Sequence, residues 1–348
     1  MNMTRRADPT LASAFQRQAA ARDFVVAIDF GGTKIDVATA DLNGDILEQH
    51  RLATNAPHGA RQAVERALAL ARDLMGRARE MTGGRCLAGG AVSPGVILPD
   101  RVLLAPNVPG WEQLALLDIV RAGLELPYVA VGNDVKAAAE AEARWGSLQG
   151  ADPAIFLSLG TGIGSALVVG GQVLTGAHGA SGEIGYNLRG ASGETGIASG
   201  HAPLEEAVGG RAISERGSLL LGGNLSAAEV FAHPDLRARA LIDETLAELA
   251  LHVANIAILI DPARIAVGGG LMGAGDLILS VLVSRLSLAV PFPPEVVPAR
   301  FVHDASLRGA VALALKTLAG DPLEPASEPV RQQQNTIMST MSNNLKEV

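Results

Sequence analysis

The stretch Phe24-Val-Val-Ala-Ile-Asp-Phe-Gly-Gly-Thr-Lys-Ile-Asp-Val-Ala-Thr-Ala-Asp41 decides the fold. It is a short apolar run, a turn at Gly31-Gly32-Thr33, a second run and a further tight turn at Asn43-Gly44-Asp45, which predicts an opening meander of strands. A second stretch has the same form: Ala154-Ile-Phe-Leu-Ser-Leu-Gly-Thr-Gly-Ile-Gly-Ser-Ala-Leu-Val-Val-Gly-Gly171, turning at Gly160-Thr161-Gly162. Glycine turns let the main chain approach a ligand closely, and successive backbone N–H groups in them form anion-binding concavities. Two such stretches in one chain predict a duplicated domain that holds phosphates in the cleft between its halves.

Working outward, Phe24–Asp29, Lys34–Asp41 and Ile46–Leu52 read as three strands, and Arg61–Met81 as a helix from apolar residues at helical spacing. Cys86–Val92 reads as a buried strand, Val96–Leu104 as a hairpin, Trp111–Leu124 as a helix and Tyr128–Val131 as a short strand. Val135–Trp145 reads as an alanine-rich helix. Asn133-Asp134 stands where strand becomes helix, a position from which Asp134 can cap the helix. The second half repeats the opening, then runs through a Gly- and Ser-rich stretch from Gly176 to Gly210. Helices at Ile213–Leu221, Ala227–Phe231 and Pro234–Ile260 lead to a strand, Arg264–Val267, that ends on Gly268-Gly269-Gly270. Another helix starts near Gly275, followed by a strand around Ala299–Val302 and a helix over Ser306–Leu318.

Composition narrows the class. The 348 residues suffice for two cores, and 48% apolar with 18% charged residues describes a globular chain. A net charge of −8 argues against nucleic acid or an anionic membrane as the main partner. The single cysteine, Cys86, excludes an internal disulfide and any multi-thiolate zinc site. The most lipid-like stretch, Leu246 to Ile260, carries Glu248, His252 and Asn255 and is too short to span a bilayer. Residues 1–22 hold four arginines and no apolar run fit for a signal peptide, so the expectation is a cytoplasmic protein. The expected domains are 23–134, completed by a helix at about 305–320, and 135–304, between a flexible extension at 1–22 and a disordered tail at 322–348.

These motifs resemble the ROK family of bacterial sugar kinases. The resemblance spans residues 24 to 320 and rests on Asp29-Phe-Gly-Gly-Thr-Lys34, Ala105-Pro-Asn-Val-Pro-Gly-Trp111, Gly132-Asn-Asp134, Leu159-Gly-Thr-Gly-Ile-Gly164, Gly182-Glu-Ile-Gly185 and Val267-Gly-Gly-Gly270, in that order. It implies an α/β fold of duplicated actin-like, ribonuclease H-like ATPase domains with the active site in the interdomain cleft, and an ATP- and Mg²⁺-dependent hexose kinase of the glucokinase type. Gly31, Gly32, Thr33, Lys34, Gly160, Thr161 and Gly162 would hold the phosphates, and Gly268, Gly269 and Gly270 the adenosine. Asp29 would organise Mg²⁺ through water, and Asp134 would be the general base. Asn107, Asn133, Glu183 and Glu205 would bind the sugar together with Asp134. The expected assembly is a homodimer.

One departure stands out. Most family members carry a histidine after the Gly-Glu-x-Gly run and then a cysteine-rich zinc motif. Here Tyr186 takes the histidine's place and residues 187–203 contain no cysteine, so no zinc is expected; the Tyr186 hydroxyl could contact sugar, or the ring could pack. Other readings are a sugar-responsive regulator without kinase activity and a kinase that uses polyphosphate. His178 and His201 read as isolated exposed residues, Trp111 as packing, Lys136 as an exposed helix residue and Cys86 as a small core residue.

Overall fold

In a computed structural model, the structure describes residues 22–105, 108–190 and 195–319. They form two compact units. One runs to Ala137 and takes up the chain again from Ser306; the other runs from Ala138 to Ala305.

The first unit is built on strands β1 (Phe24–Phe30), β2 (Lys34–Asp41), β3 (Ile46–Ala53), β4 (Cys86–Ser93) and β7 (Val129–Asn133), with a small hairpin of β5 (Val96–Ile97) and β6 (Val102–Leu103). The five-stranded order is β3-β2-β1-β4-β7. The three opening strands are antiparallel, while β4 and β7 join parallel. Helix Ala60–Thr82 buries Ala60, Ala63, Val64, Ala67, Leu68, Ala71, Leu74 and Ala78, the stripe of a one-faced helix, and stops at Gly83, whose φ of 68° suits glycine. The core gathers Val26, Ile28, Phe30, Val37, Leu68 and Leu74 with Leu116 and Val120. The last helix, Ala305–Ala319, lies directly on β4: a Cβ on Gly90 would come 1.9 Å from the carbonyl oxygen of Ala310. Only a bare α-carbon permits that approach.

The second unit repeats the wiring with β8 (Ala154–Leu159), β9 (Ile163–Val169), β10 (Gln172–Val173), β11 (Arg264–Gly268) and β12 (Glu295–Pro298) in the order β10-β9-β8-β11-β12. Again an antiparallel trio is extended by two parallel strands. Helices Gly210–Leu221, Leu236–Ile260 and Gly275–Ala289 cover it, packing Leu246, Leu249, Val253, Ile278 and Leu282 against Ile155, Leu157, Ile265 and Val267.

The structure corrects several expectations. Trp111–Leu124 is not one helix: Trp111–Gln113 is a 3-10 turn, Leu114 is extended, and the α-helix is Leu116–Leu124. The final strand is Glu295–Pro298 rather than Ala299–Val302, because its partner β11 ends there, pairing Val267 with Pro298. Lys136 is buried, not exposed. The stretch after Gly176 is ordered in part into short turns, Ile184–Tyr186 and Gly196–Ser199, and a helical turn Glu205–Val208. Among the described residues, it is Gly270–Ala289 that by length and composition alone is apolar enough to cross a membrane, and its helical part packs Ile278, Leu282 and Leu286 inward.

Candidate active site

Each unit carries its own group of chemically able residues. In the first, the turn Gly31-Gly32-Thr33 is closed by the N–H of Gly31 donating to Lys34 O at 3.0 Å. A Cβ on Gly31 would sit 2.7 Å from that oxygen, so a side chain there would break the turn. Thr54, just beyond β3, fixes the turn from behind. Its hydroxyl donates to Gly31 O at 2.6 Å and its N–H to Thr33 O at 2.9 Å. Arg66 in turn donates from Nη2 to the carbonyls of Ala53 and Thr54. Two carbonyls of the turn are thereby anchored on the protein side.

Beside the turn, one face of the sheet carries a row of charges. Register places Asp29 opposite Asp36 and Asp36 opposite Arg51. Arg51 Nε donates to Asp36 Oδ1 at 2.7 Å, and Lys34 Nζ stands 3.9 Å from Asp36 Oδ2. Asp36 is buried and spent on these cations. Asp29 is different: burial, then repulsion from Asp134 and Asp36, pushes its carboxyl up to about 8 against the opposing pull of Lys34 and Arg51. A carboxylate so placed is short of positive charge, and Asp134 is among the groups it feels.

Asp134 opens helix Asp134–Trp145. The cap, however, is Asn133, whose Oδ1 accepts the N–H of Lys136 at 2.9 Å while its Nδ2 donates to Gly95 O at 2.9 Å. The capping role that the sequence allowed to Asp134 falls to its neighbour. Asp134 Oδ1 instead accepts the adjacent N–H of Val135. Trp111 is buried edge-on against Phe30 and donates from Nε1 to Ser93 Oγ at 2.7 Å, so it packs. Asn107 lies outside the described residues.

In the second unit the turn Gly160-Thr161-Gly162 is held at every residue. Gly160 N–H donates to Gly162 O, Gly210 N–H to Gly160 O and Arg211 N–H to Thr161 O, at 2.9 to 3.0 Å. Glu205 Oε2 accepts the N–H of Ile163 at 2.9 Å, and a Cβ on Gly162 would lie 2.1 Å from that carboxylate oxygen. The Gly268-Gly269-Gly270 run meets the same turn. Gly269 has φ of 97°, its added Cβ would strike Leu159 O at 2.4 Å, and a Cβ on Gly160 would lie 4.0 Å from Gly270 N. Glu183 precedes the 3-10 turn Ile184–Tyr186, and a Cβ on Gly185 would stand 3.2 Å from Glu205 Cβ. The structure thus brings Gly160, Thr161, Gly162, Gly268, Gly269, Gly270, Glu183, Tyr186 and Glu205 into one neighbourhood of this unit.

The groove of about 600 Å³ between helices Leu236–Ile260 and Gly275–Ala289, lined by Leu251, Val281, Arg285 and Leu288 among others, holds none of these residues. His201 is exposed beside Glu206, and burial pushes the Cys86 thiol up to about 12, which leaves it unreactive.

The family model for the ROK family matches residues 25–317. The chain belongs to the ROK family. An N-acetylmannosamine kinase of Escherichia coli O7:K1 is 31% identical over 301 residues, 83% of this chain and 98% of that one. A glucokinase of Streptomyces coelicolor is 31% identical over 317 residues, 83% of this chain and 96% of that one. Among solved structures, a ROK glucokinase of Streptomyces griseus in complex with glucose and AMPPNP superposes with a TM-score of 0.69 at 28% identity, covering 84% of this chain and 99% of that one. The doubled strand order is accordingly the actin-like ATPase fold of the ROK sugar kinases. Sequence reasoning missed Thr54, Asp36 and Arg51 in this ROK chain. Asp36, a charge between the apolar Ile35 and Val37, was a visible signal; Arg51, on a polar strand, and Thr54 had none.

Proposed function

We propose that the chain is an ATP- and Mg²⁺-dependent hexose kinase of the glucokinase type, with Asp134 as general base. The observation that carries this is the division of labour at the start of helix Asp134–Trp145. Asn133 provides the cap, and the Asp134 carboxylate stands near enough to Asp29 for its charge to help raise that carboxyl. Asp134 takes the proton of a sugar hydroxyl as that oxygen attacks the γ-phosphate. The Gly31–Thr33 and Gly160–Gly162 turns bind the donor phosphates, and the Gly268–Gly270 run bares its backbone to the adenosine. Glu183 and Glu205 accept from the sugar hydroxyls, joined by Asn107 and by Asn133 through the amide hydrogen its own contacts leave over. Tyr186 supplies a hydroxyl on the same segment.

A hard divalent cation fits the carboxylate oxygens of Asp29, reached through water, since Asp36 is already engaged by Arg51 and Lys34. When bound, Mg²⁺ neutralises phosphate charge there. The same reading makes the protein a cytoplasmic homodimeric enzyme without zinc in residues 187–203.

The test is coupled ADP release over hexoses, ketohexoses and N-acetylhexosamines, with ATP and polyphosphate compared as donors. Asp134→Asn lowers kcat by about 10²-fold or more while calorimetry shows sugar binding retained. Sugar binding without any ADP release identifies a sensor instead, and near-normal turnover in Asp134→Asn removes Asp134 from the chemistry.

A further inference from the structure

The segment that bears Glu183 and Tyr186 is tied to helix Leu236–Ile260 at two places. Arg189 donates from Nε and Nη2 to the two carboxylate oxygens of Glu248, the second bond measuring 2.7 Å. One turn further along the same helix, His252 Nδ1 lies 3.4 Å from Asn187 Nδ2. Glu248 and His252 are four residues apart, so both face the segment from one side of the helix. His252 is buried, while the Glu248 side chain is 18% and that of Arg189 37% exposed, so the ion pair is half-buried and open to screening by salt. Its strength lies in the bidentate geometry, which gives an arginine–carboxylate pair direction that a single solvated contact lacks.

The tie reaches Glu183 through a stiff path. Tyr186 N–H donates to Glu183 O and Asn187 N–H to Ile184 O, so the intervening residues form a hydrogen-bonded turn. On the other side, Ser165 donates from both its N–H and its hydroxyl to Gly182 O, at 2.9 and 3.0 Å. Gly185 O accepts the N–H of Leu204, the neighbour of Glu205. Without Arg189 and Asn187 the segment keeps its Ser165 and Leu204 contacts and loses these two side-chain ties to the helix.

We propose that Arg189–Glu248, supported by Asn187–His252, is a clamp of side chains that sets the position of Glu183 and Tyr186 for the acceptor. Arg189 and Glu248 are positioning residues, and their role rests on the sugar-kinase reading above. Arg189→Ala and Glu248→Ala each raise the KM for sugar about tenfold, the loss of one charge-assisted contact, while kcat and the KM for ATP stay within about twofold. Raising the salt from about 0.05 to about 0.5 M raises the sugar KM of the wild type but not of Glu248→Ala. The exchange Arg189→Glu with Glu248→Arg recovers a sugar KM lower than either single reversal. Amide hydrogen exchange at Gly185, Tyr186 and Asn187 speeds up in Arg189→Ala whether or not the protein turns over. Unchanged sugar KM and unchanged exchange in both alanine variants overturn the clamp and leave the kinase reading standing. A wild type without sugar-dependent ADP release overturns the kinase reading, and the exchange measurement then decides the clamp alone.

Discussion

Glu205 Oε2 accepts the backbone N–H of Ile163 at 2.9 Å, the first N–H after the Gly160–Gly162 turn. An acid proposed to face the sugar is therefore also a brace for the turn proposed to hold phosphate. Glu205→Ala raises the KM for ATP as well as for sugar, each by about tenfold or more, since a hydrogen bond to a charged group contributes about 1.5–3 kcal/mol. Glu205→Gln keeps an acceptor for Ile163 and brings the ATP term most of the way back. A sugar effect alone in Glu205→Ala shows that the brace does not matter to the turn.

Thr54 makes a parallel case in the first unit. Thr54→Val preserves shape and removes the hydroxyl that holds Gly31 O. The carbonyl left without its donor costs about 1–3 kcal/mol, so the KM for ATP rises about 5- to 100-fold with the sugar KM unchanged. Thr54→Ser stays close to wild type. Steady-state kinetics with ATP varied separates the two, and equal KM values in Val and Ser variants refute the role.

Much of this architecture was legible because it depends on backbone. The turns at Gly31-Gly32 and Gly160-Thr161-Gly162 and the run at Gly268 are visible as glycines, of which Gly31, Gly162 and Gly269 are the ones where a Cβ would collide, and the strands beside them are short apolar runs. What stayed hidden depends on contacts distant in sequence. Thr54 meets Gly31 across 23 residues and Glu205 meets Ile163 across 42, and no local pattern marks either partner. The Asn133-Asp134 pair shows the limit at closest range. Both residues cap helices well, and only the geometry shows that Asn133 Oδ1 accepts the N–H of Lys136 while Asp134 Oδ1 accepts that of Val135.

Asp29 gives a pH signature. Its carboxyl rises from 3.8 to about 8 in the folded protein without metal. Below about pH 4 folded and unfolded chains both hold the proton; above it the unfolded chain releases a proton that the folded chain keeps. The associated stability is thus lost as pH rises from about 4 to 8, then levels off. Asp29→Asn carries no such penalty, so in EDTA its Tm exceeds that of the wild type by a margin that widens up to about pH 8. Melting curves across this range check it; a constant margin refutes the assignment.

Glu142 predicts a stability effect remote from any chemistry. It is fully buried and accepts three backbone N–H groups, from Ser147, Arg300 and Phe301, at 2.6, 3.2 and 2.8 Å. Glu142→Ala strands all three and costs about 3–5 kcal/mol, which lowers Tm by roughly 10 °C. Glu142→Gln falls between the two. Calorimetric melting measures both, and a drop of under about 2 °C in the alanine variant contradicts the account.

The contact of Gly90 with Ala310 has a bearing on how the molecule is made. The first unit is the first to leave the ribosome, yet the helix that covers β4 is translated after the whole of the second. While the second unit is being synthesised, the first waits with one side of its sheet bare. The face that this helix covers is exposed for as long as 168 further residues take to emerge, Ala138 to Ala305. The N-terminal half of this kinase fold is thus the last part to be finished, and the chain depends on chaperones or on speed during that interval more than a domain of the same size built from one continuous segment.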